Sequence, residues 1–285
     1  MKIKSPLRYP GGKSKAIPQI VAYIPSTFKE YREPLVGGGS LFIYLRQRYP
    51  QVRMWINDIN YDLFCFWKYA QHDSHKLANE IKKIKDERQD GHVLFHELKD
   101  ADVKTLSDFE RAVRFFVLNR IGFSGTVDAG GFSQYSFISR FTYSSIERLA
   151  RLGSILEGVK ITNLDYKEVL REQGENVFIF LDPPYLKATK SRLYGKNGIL
   201  HVTFDHDEFA NEVRKCRHAW LITYDDSPEI RANFSFANIY EWELQYGMNN
   251  YKQASAAKGR ELFITNYLVK HHGDQLRQTK MQFPP

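Results

Sequence analysis

Hydrophobic positions in the N-terminal part of the chain alternate between short apolar runs and longer amphipathic segments. The run 31–36 predicts a buried strand, which leads into the glycine-rich turn 37–40. The segment 41–49 has helical spacing, and the run 52–57 predicts a second strand. A strand, a turn, a helix and a strand in this order form a β-α-β unit, which favours a parallel sheet. A short basic amphipathic helix is predicted ahead of this unit, over 14–23.

The pattern in the middle of the chain is helical and more polar, from residue 61 to residue 120. The segment 122–141 differs, because Gly, Ser and aromatic residues alternate there with almost no charge. We predict a loop or an irregular hairpin for it. A helix is expected to follow, capped by Ser144 or Ser145 and ended near Gly158.

The α/β alternation returns in the last part of the chain. The predicted elements are strands at 159–163 and 176–181, a helix at 206–216, and strands at 219–224, 237–246 and 260–268. The last two strands have alternating polarity, so we expect them to pair as an antiparallel ladder at one edge of the sheet.

These elements predict a split α/β protein. Residues 1–66 and 151–270 are expected to build the core, and residues 67–150 an inserted, mostly helical domain. Residues 271–285 are polar and are expected to form a flexible tail.

Composition narrows the class of protein. No stretch of roughly 18 uncharged apolar residues exists, which excludes a membrane span, and the N-terminus has no apolar run of a secretory signal. Two cysteines, Cys65 and Cys216, are too few for a disulfide framework or a cysteine-rich zinc site. We therefore expect a cytoplasmic protein without a metal ion.

The charge balance favours a polyanionic partner. The chain has 41 Lys and Arg against 33 Asp and Glu, a formal net charge of +8, and phosphates attract such an excess at long range. Aromatic residues make up 14% of the chain and suit base stacking. An aromatic-rich core explains their number equally well.

The first chemical motif is the glycine turn after the first predicted strand, with Asp58 at the end of the second. Gly37 and Gly39 let a ligand approach the backbone, and an acid at Asp58 can accept both hydroxyls of a ribose. A dinucleotide site has a third glycine where this chain has Phe42. The turn therefore fits S-adenosylmethionine (SAM) better than NAD, and a tight turn with a capping acid is the alternative.

The second motif is the run 8–14, which ends in a Gly-Lys-Ser sequence. A phosphate-binding P-loop has a glycine where this chain has Leu7, and a preceding strand for which there is no room, so ATP binding is rejected. The turn can instead present Lys13 to a carboxylate, such as the methionine end of SAM. An N-terminal arm with a chance turn is the alternative.

The third motif, Asp182-Pro183-Pro184-Tyr185, follows a predicted buried strand. The two prolines remove two N–H donors and impose an extended shape. An amino group on a planar ring can donate to the Asp182 carboxylate and the Pro183 carbonyl, while the ring stacks on Tyr185. Asp165 follows another predicted strand. With Asp58 and Asp182 it forms a row along the sheet edge at which open α/β sheets bind ligands.

Together these elements resemble the Dam-type DNA adenine N6-methyltransferases. The matching segments, in the family's order, are PLRYPGGK, EPLVGGGSLF, INDIN, LNRIGFSG, ITNLDY, LDPPY and KGRELFITNY. The resemblance implies a Rossmann-like SAM-dependent methyltransferase sheet with an inserted target-recognition domain. It implies methyl transfer from SAM to N6 of a flipped adenine in double-stranded DNA, by a monomer.

The resemblance also assigns site residues. Those matching the family's SAM contacts are Tyr9, Lys13, Asp58 and Asp182, while Asp165 matches the acid that meets the SAM adenine. Gly37 and Gly39 join them from the glycine turn, and residues 182–185 match the catalytic tetrapeptide. The residues expected to contact DNA are Arg8, Arg120, Phe123, Ser124 and Arg140, with Phe123 filling the gap that the flipped base leaves.

One departure from the family concerns the DNA sequence that is recognised. Asp128 stands where members that methylate GATC have an arginine that reads guanine, and Ser124 replaces an asparagine. A carboxylate cannot donate to guanine but can accept from cytosine N4, so we expect strict GATC specificity to be lost unless Arg140 takes over. Two alternatives remain. A methyltransferase acting on RNA or on a protein glutamine usually has Asn at position 182, and a DNA-binding protein without turnover does not need Asp182 or Tyr185.

Overall fold

The computed structural model describes residues 3–9, 12–127, 130–186, 204–244 and 259–269. Its helices are α1 (Ile17–Val21), α2 (Ser40–Arg48), α3 (Tyr61–His72), α4 (Ser74–Glu87), α5 (Gly91–Asp100), α6 (Asp108–Ile121), α7 (Gln134–Ser139), α8 (Tyr143–Ala150), α9 (Leu152–Leu156), α10 (Tyr166–Arg171), α11 (His206–Lys215) and α12 (Pro228–Asn233). Short 3-10 turns occupy Lys13–Lys15 and Phe123–Gly125. The expected flexible tail, 271–285, lies outside the described residues.

Within the described ranges, seven strands form one mixed sheet in the order β3-β2-β1-β4-β5-β7-β6. The strands are β1 (Glu30–Glu33), β2 (Arg53–Asn57), β3 (Lys160–Thr162), β4 (Val177–Leu181), β5 (Ala219–Asp225), β6 (Asn238–Leu244) and β7 (Gly259–Thr265). Strands β1 to β5 are parallel to one another, and β7 is antiparallel to both β5 and β6. The α/β class and the antiparallel ladder at one edge are confirmed.

The strand order reverses next to β1, which lies between β2 and β4. At such a switch point the connections leave in opposite directions and open a crevice beyond the carboxyl ends of the strands. Strand β1 ends at Glu33, β2 at Asn57 and β4 at Leu181. Asp58 and Asp182 are the residues directly after β2 and β4, so both lie at this crevice.

Alternation along β4 shows how the two faces of the sheet are covered. Phe178 and Phe180 pack into one apolar cluster, while Val177, Ile179 and Leu181 pack into a second cluster with α10, α11 and α12. The first cluster continues into the helices of the segment 67–150. The inserted segment is therefore helical, and its core is continuous with that of the sheet.

A buried ion triad joins two helices of this region. Asp62 on α3 accepts from Arg111 at 2.7 Å and from Arg114 at 3.0 Å, both on α6. Arg114 is only 3% exposed, and the Asp62 carboxylate provides a counter-charge for its buried guanidinium. Among the described residues, no helix combines the length and apolar character that a membrane crossing requires.

Two local predictions were wrong in part. The segment 122–141 has an isolated antiparallel bridge between Gly122 and Phe132, but it also contains the unpredicted helix α7. This helix is too short to show an apolar period, and the Ser133 side chain caps it. The helix after it begins earlier than predicted, because the cap is Thr142, whose side chain accepts from the Ser145 backbone N–H.

Candidate active site and DNA interface

The carboxyl end of β4 holds the predicted catalytic segment. The Asp182 Oδ1 atom accepts from Lys13 Nζ at 2.7 Å and from Thr223 Oγ1 at 2.7 Å. Lys13 is 5% exposed and Asp182 23%, so the ion pair is largely shielded from water. The structure thus brings Lys13, from the N-terminal turn, against the acid that the sequence placed in catalysis.

Tyr185 lies in the same group of side chains. Its hydroxyl donates to Glu261 Oε2 at 2.8 Å, and Lys13 Nζ lies 4.7 Å from the centre of its ring. The ring is half-buried and Pro183 is buried, while Pro184 is half-buried. One residue further, the Leu186 backbone N–H donates to Asp225 Oδ1 at 2.9 Å.

Asp58 connects the glycine turn to the end of β2. Its Oδ2 accepts from the Gly37 backbone N–H at 3.0 Å, and its Oδ1 accepts from the Asn60 N–H at 3.0 Å. The residue is 9% exposed. Each carboxylate oxygen has two lone pairs, so Asp58 retains acceptor capacity for a ligand beside these two bonds.

The glycine turn also makes close contacts within the protein. Gly37 and Gly39 have φ angles of 46° and 61°, a region that side chains rarely adopt. A Cβ on Gly37 would lie 2.8 Å from the Tyr9 ring, and one on Gly39 would lie 2.8 Å from the Trp67 ring. Both glycines are therefore required by the fold, and their contact with a cofactor stays a prediction.

Several acids near the crevice are difficult to ionise. Burial, with the charges of Asp182 and Asp58 added, raises the pKa of Glu33 to about 8, although Tyr31 donates to it. Burial likewise raises the pKa of Asp58 to about 6 and that of Glu261 to about 7. An acidic site of this kind favours a cationic ligand, because added positive charge stabilises its carboxylates.

Asp165 has a well-defined structural role. It caps α10, accepting from the Lys167 backbone N–H at 2.8 Å in a capping box with Glu168. Asn163, two residues earlier, donates to the Asp58 carbonyl at 2.8 Å and so ties this segment to the end of β2. Asp165 thus lies next to the crevice, and its contact with an adenine remains a prediction.

Asn119 joins the N-terminal arm to the segment expected to recognise DNA. Its Oδ1 accepts from the Arg8 backbone N–H at 2.8 Å, and its side-chain amide donates to the Gly125 carbonyl at 2.9 Å. The Arg8 guanidinium donates to Ser136 Oγ at 2.9 Å and to the Gly122 carbonyl at 3.3 Å. Arg8 therefore lies at the surface where α6 ends and α7 begins.

Arg120 differs from its prediction. It is 5% exposed, and its guanidinium donates to the Arg140 carbonyl at 2.7 Å and to the Pro6 carbonyl at 3.1 Å. A buried cation held by two carbonyls cannot reach a phosphate. Arg120 therefore stabilises the segment 122–141 from the protein interior. Burial, together with the nearby Arg8, Arg148 and Arg140, lowers the pKa of Arg120 to about 9.

Large apolar side chains are exposed beside this arginine cluster, which comprises Arg8, Arg120, Arg140 and Arg148. Phe123 is 61% exposed, and Tyr135 and Ile138 on α7 are 64% and 66% exposed. Arg140 lies over the Tyr135 ring, 5.5 Å from its centre. Ser124 adopts a left-handed φ of 54°. Asp128 lies outside the described residues.

Metal binding has no support in the part of the chain that the structure describes, where no group of three or more His, Cys, Asp or Glu side chains is arranged to hold an ion.

Comparison with known proteins now decides the family. The model of the D12 class N6 adenine-specific DNA methyltransferases matches residues 9–248, a span that includes Lys13, Asp58 and Asp182 of the crevice and the three arginines 120, 140 and 148 of the cluster. The chain belongs to this family. It is an enzyme that methylates adenine at N6 in DNA, and a methyl donor is its second substrate.

Individual relatives agree with this assignment. The type II methyltransferase M.MjaIII of Methanocaldococcus jannaschii is 27% identical over 208 residues, which cover 67% of this chain and 72% of the relative. The type II methyltransferase M1.LlaDCHI of Lactococcus lactis subsp. cremoris is 24% identical over 91% of this chain and 94% of its own length. The DNA N-6-adenine-methyltransferase of Escherichia phage P1 is 29% identical over 64% of this chain, which corresponds to 24% of the phage protein.

Sequence reasoning missed several residues of the site. Thr223 and Asp225 lie in the last three residues of β5, and Glu261 lies on β7. All three contact the segment 182–186, although none was predicted to be part of the site. The only signal for Glu261 was its place in the late segment that resembles the family. Asn119 lies in another such segment, and nothing in its spacing indicated that it binds Arg8.

Proposed function

We propose that the protein transfers a methyl group from SAM to N6 of an adenine that has been flipped out of double-stranded DNA. The observation that supports this best is the group formed by Lys13, Asp182 and Tyr185 at the sheet's switch point, with Asp182 Oδ1 2.7 Å from Lys13 Nζ. It combines an anionic acceptor with an aromatic face, which is what a planar ring with an amino group needs.

The crevice fits SAM in charge and in hydrogen-bonding groups. SAM has a sulfonium and an ammonium against one carboxylate, and the acids of the crevice, whose pKa values are raised, favour such a net cation. Asp58 would accept from the ribose hydroxyls and Lys13 would donate to the carboxylate, while Tyr9, Gly37 and Gly39 would line the methionine side. Asp165 would lie near the adenine. When bound, SAM supplies an electrophilic methyl group.

The residues of the catalytic segment prepare the adenine amine for attack. Asp182 and the Pro183 carbonyl accept the two N6 hydrogens, so the nitrogen lone pair is directed away from the ring plane. When the N6–methyl bond forms, the electron pair of the broken carbon–sulfur bond would stay on sulfur, and the Asp182 carboxylate would take the N6 proton and pass it to water. Pro184 fixes the extended backbone, and Tyr185 stacks on the base. An acceptor placed where positive charge develops lowers the barrier.

The DNA side of the site is the surface around α7. We propose that Arg8 and Arg140 contact phosphates and that Phe123 fills the gap in the duplex, because it is 61% exposed beside the arginine cluster. Ser124 sits next to it in the same turn. Tyr135 and Ile138 extend the exposed face, where apolar side chains can contact thymine methyl groups. The segment 67–150 thereby serves as the target-recognition domain, and the segments 1–66 and 151–270 as the catalytic domain.

Labelled methyl transfer from SAM to plasmid DNA tests the proposal, followed by digestion to nucleosides and separation of N6-methyladenine from N4-methylcytosine. Wild-type protein is expected to label adenine alone, and the Asp182→Ala variant to label almost none. Label in cytosine, in RNA or in protein, with adenine unlabelled, would contradict the proposal.

Further properties follow as expectations. We expect a monomer in a reducing, cytoplasmic setting, which suits the free Cys65 and Cys216, and a type II restriction-modification context like that of two named relatives.

Because Asp128 replaces the guanine-reading arginine, we expect the target to differ from strict GATC. Digestion of DNA from expressing cells with an enzyme blocked by GATC methylation tests this. Complete protection at GATC, with no methylation elsewhere, would contradict it.

A further inference from the structure

Two buried acids lie directly opposite each other at the edge of the crevice. Asp225 on β5 pairs with Glu261 on β7 in the antiparallel ladder, and the two are 6% and 1% exposed. Two acids at facing positions destabilise a sheet when both are ionised, and burying their polar groups adds to the cost. Hydrophobic side chains would pack better at both positions. The reason for two acids here must therefore lie in the groups that they contact.

Both acids hold the catalytic segment. Asp225 Oδ1 accepts from the Leu186 backbone N–H at 2.9 Å, and Glu261 Oε2 accepts from the Tyr185 hydroxyl at 2.8 Å. Asp182, at the other end of the segment, is held by Lys13 and Thr223.

The need for these contacts follows from the two prolines. Pro183 and Pro184 have no N–H, so the middle of the segment cannot be anchored by its own backbone donors. Among the donors that follow the prolines, the Tyr185 hydroxyl meets Glu261 and the Leu186 backbone N–H meets Asp225, the two acids of the facing pair.

We propose that Asp225 and Glu261 form a carboxylate clamp, in which Glu261 sets the orientation of the Tyr185 ring and Asp225 sets the end of the segment. Both are positioning residues, since they act on the adenine through Tyr185 and Leu186. The proposal rests on the proposed function, because it presupposes that the adenine stacks on Tyr185.

A double-mutant cycle on Tyr185 and Glu261 tests the clamp. Tyr185→Phe keeps the stacking ring but loses the hydroxyl, and Glu261→Ala loses the acceptor. Each change is expected to slow single-turnover methyl transfer at saturating SAM and DNA about tenfold, the effect of one lost hydrogen bond. The double variant should also be about tenfold slower, because both changes remove the same contact. Glu261→Gln should recover most of the rate, because its amide oxygen can still accept from the hydroxyl.

Further measurements separate positioning from mere folding. Glu241 on β6, which is paired with Arg231 at the surface, provides the matched control, and Glu241→Ala should leave the rate unchanged. Dissociation constants for SAM should stay at the wild-type value in all variants, measured below their melting temperatures. A residue needed only for stability would lower the melting temperature while the folded fraction kept the wild-type rate, and that result would overturn the clamp.

The outcomes also separate the clamp from the proposed function. A roughly hundredfold loss in the double variant, the product of two independent tenfold effects, would overturn the clamp while wild-type protein still methylated adenine. Absence of adenine methylation by wild-type protein would overturn the proposed function, and the clamp with it.

Discussion

Replacing Asp182 by alanine removes the carboxylate at the centre of the crevice. In the folded protein this group accepts from Lys13 and from Thr223, both at 2.7 Å and both through Oδ1. A carboxylate has about four lone-pair sites, so capacity for an N6 hydrogen remains beside these two bonds. Asp182→Ala therefore removes an acceptor for the reacting amine and also the ion-pair partner of Lys13.

The two losses differ in size and in what they affect. Removing one group that stabilises transition-state charge costs on the order of 10²–10³ in rate, about 2.7–4 kcal/mol. Breaking a buried ion pair costs about 3–5 kcal/mol of stability, but that figure is an upper bound here. Asp182 is 23% exposed, and the field of Lys13 also acts on Glu261, which remains in the variant. We expect a folded protein whose chemical step is slow.

Single-turnover methyl transfer with saturating SAM and DNA measures that step, and thermal unfolding measures the stability. Asp182→Asn is the matched control, since its amide oxygen can accept while the charge is lost. We expect a loss of 10²–10³ for Asp182→Ala and about tenfold for Asp182→Asn. An Asp182→Ala protein that keeps more than half the wild-type rate would refute the assignment.

Four further outcomes are expected. Asp58→Ala should weaken SAM binding by about 1.5–3 kcal/mol in calorimetry, and equal SAM affinities of variant and wild type would make Asp58 a structural cap. Because burial raises the pKa of Asp58 to about 6, the SAM affinity of wild-type protein should also fall as the pH drops through that value. Phe123→Ala should reduce the brightening of a fluorescent adenine analogue at the target, and undiminished brightening would exclude the wedge role. Arg140→Ala should weaken binding to all DNA sequences alike and lower the salt slope by about one, whereas an altered sequence preference would make Arg140 a base reader. Asp62→Ala should lower the free energy of unfolding, measured with denaturant, by about 3–5 kcal/mol. Glu175→Ala, which breaks an exposed ion pair, should lower it by less than about 1 kcal/mol, and equal losses in the two variants would contradict a stabilising role of the buried triad.

The sheet and the crevice were predictable because both depend on short-range patterns. Apolar runs of strand length place β2 and β4 in the chain, and the strand predicted at 31–36 overlaps β1, which ends at Glu33. Parallel strands end at the same edge of a sheet. Asp58 and Asp182, which directly follow two of these strands, therefore had to lie near one another, whatever the details of packing.

Residues whose environment is set by distant chain segments were not predictable in this way. Arg120 stands at the end of an amphipathic pattern, where a basic side chain is normally exposed, yet it is buried by the carbonyls of Pro6 and Arg140. The short helix α7 has too few turns to show a period and depends on its Ser133 cap.

Glu261 shows the same limit in the catalytic site itself. The alternation of β7 predicts a strand but not its register, and a shift of one residue would turn every side chain to the opposite face. Only the register in which Asp225 faces Glu261 lets both acids meet the donors that follow Pro183 and Pro184. A buried pair of like charges is unfavourable for the sheet taken alone. The cost of the two buried acids is consistent with a requirement for a fixed Tyr185 ring, because an apolar residue such as Phe263, two positions along β7 on the same face, would pack there without that cost.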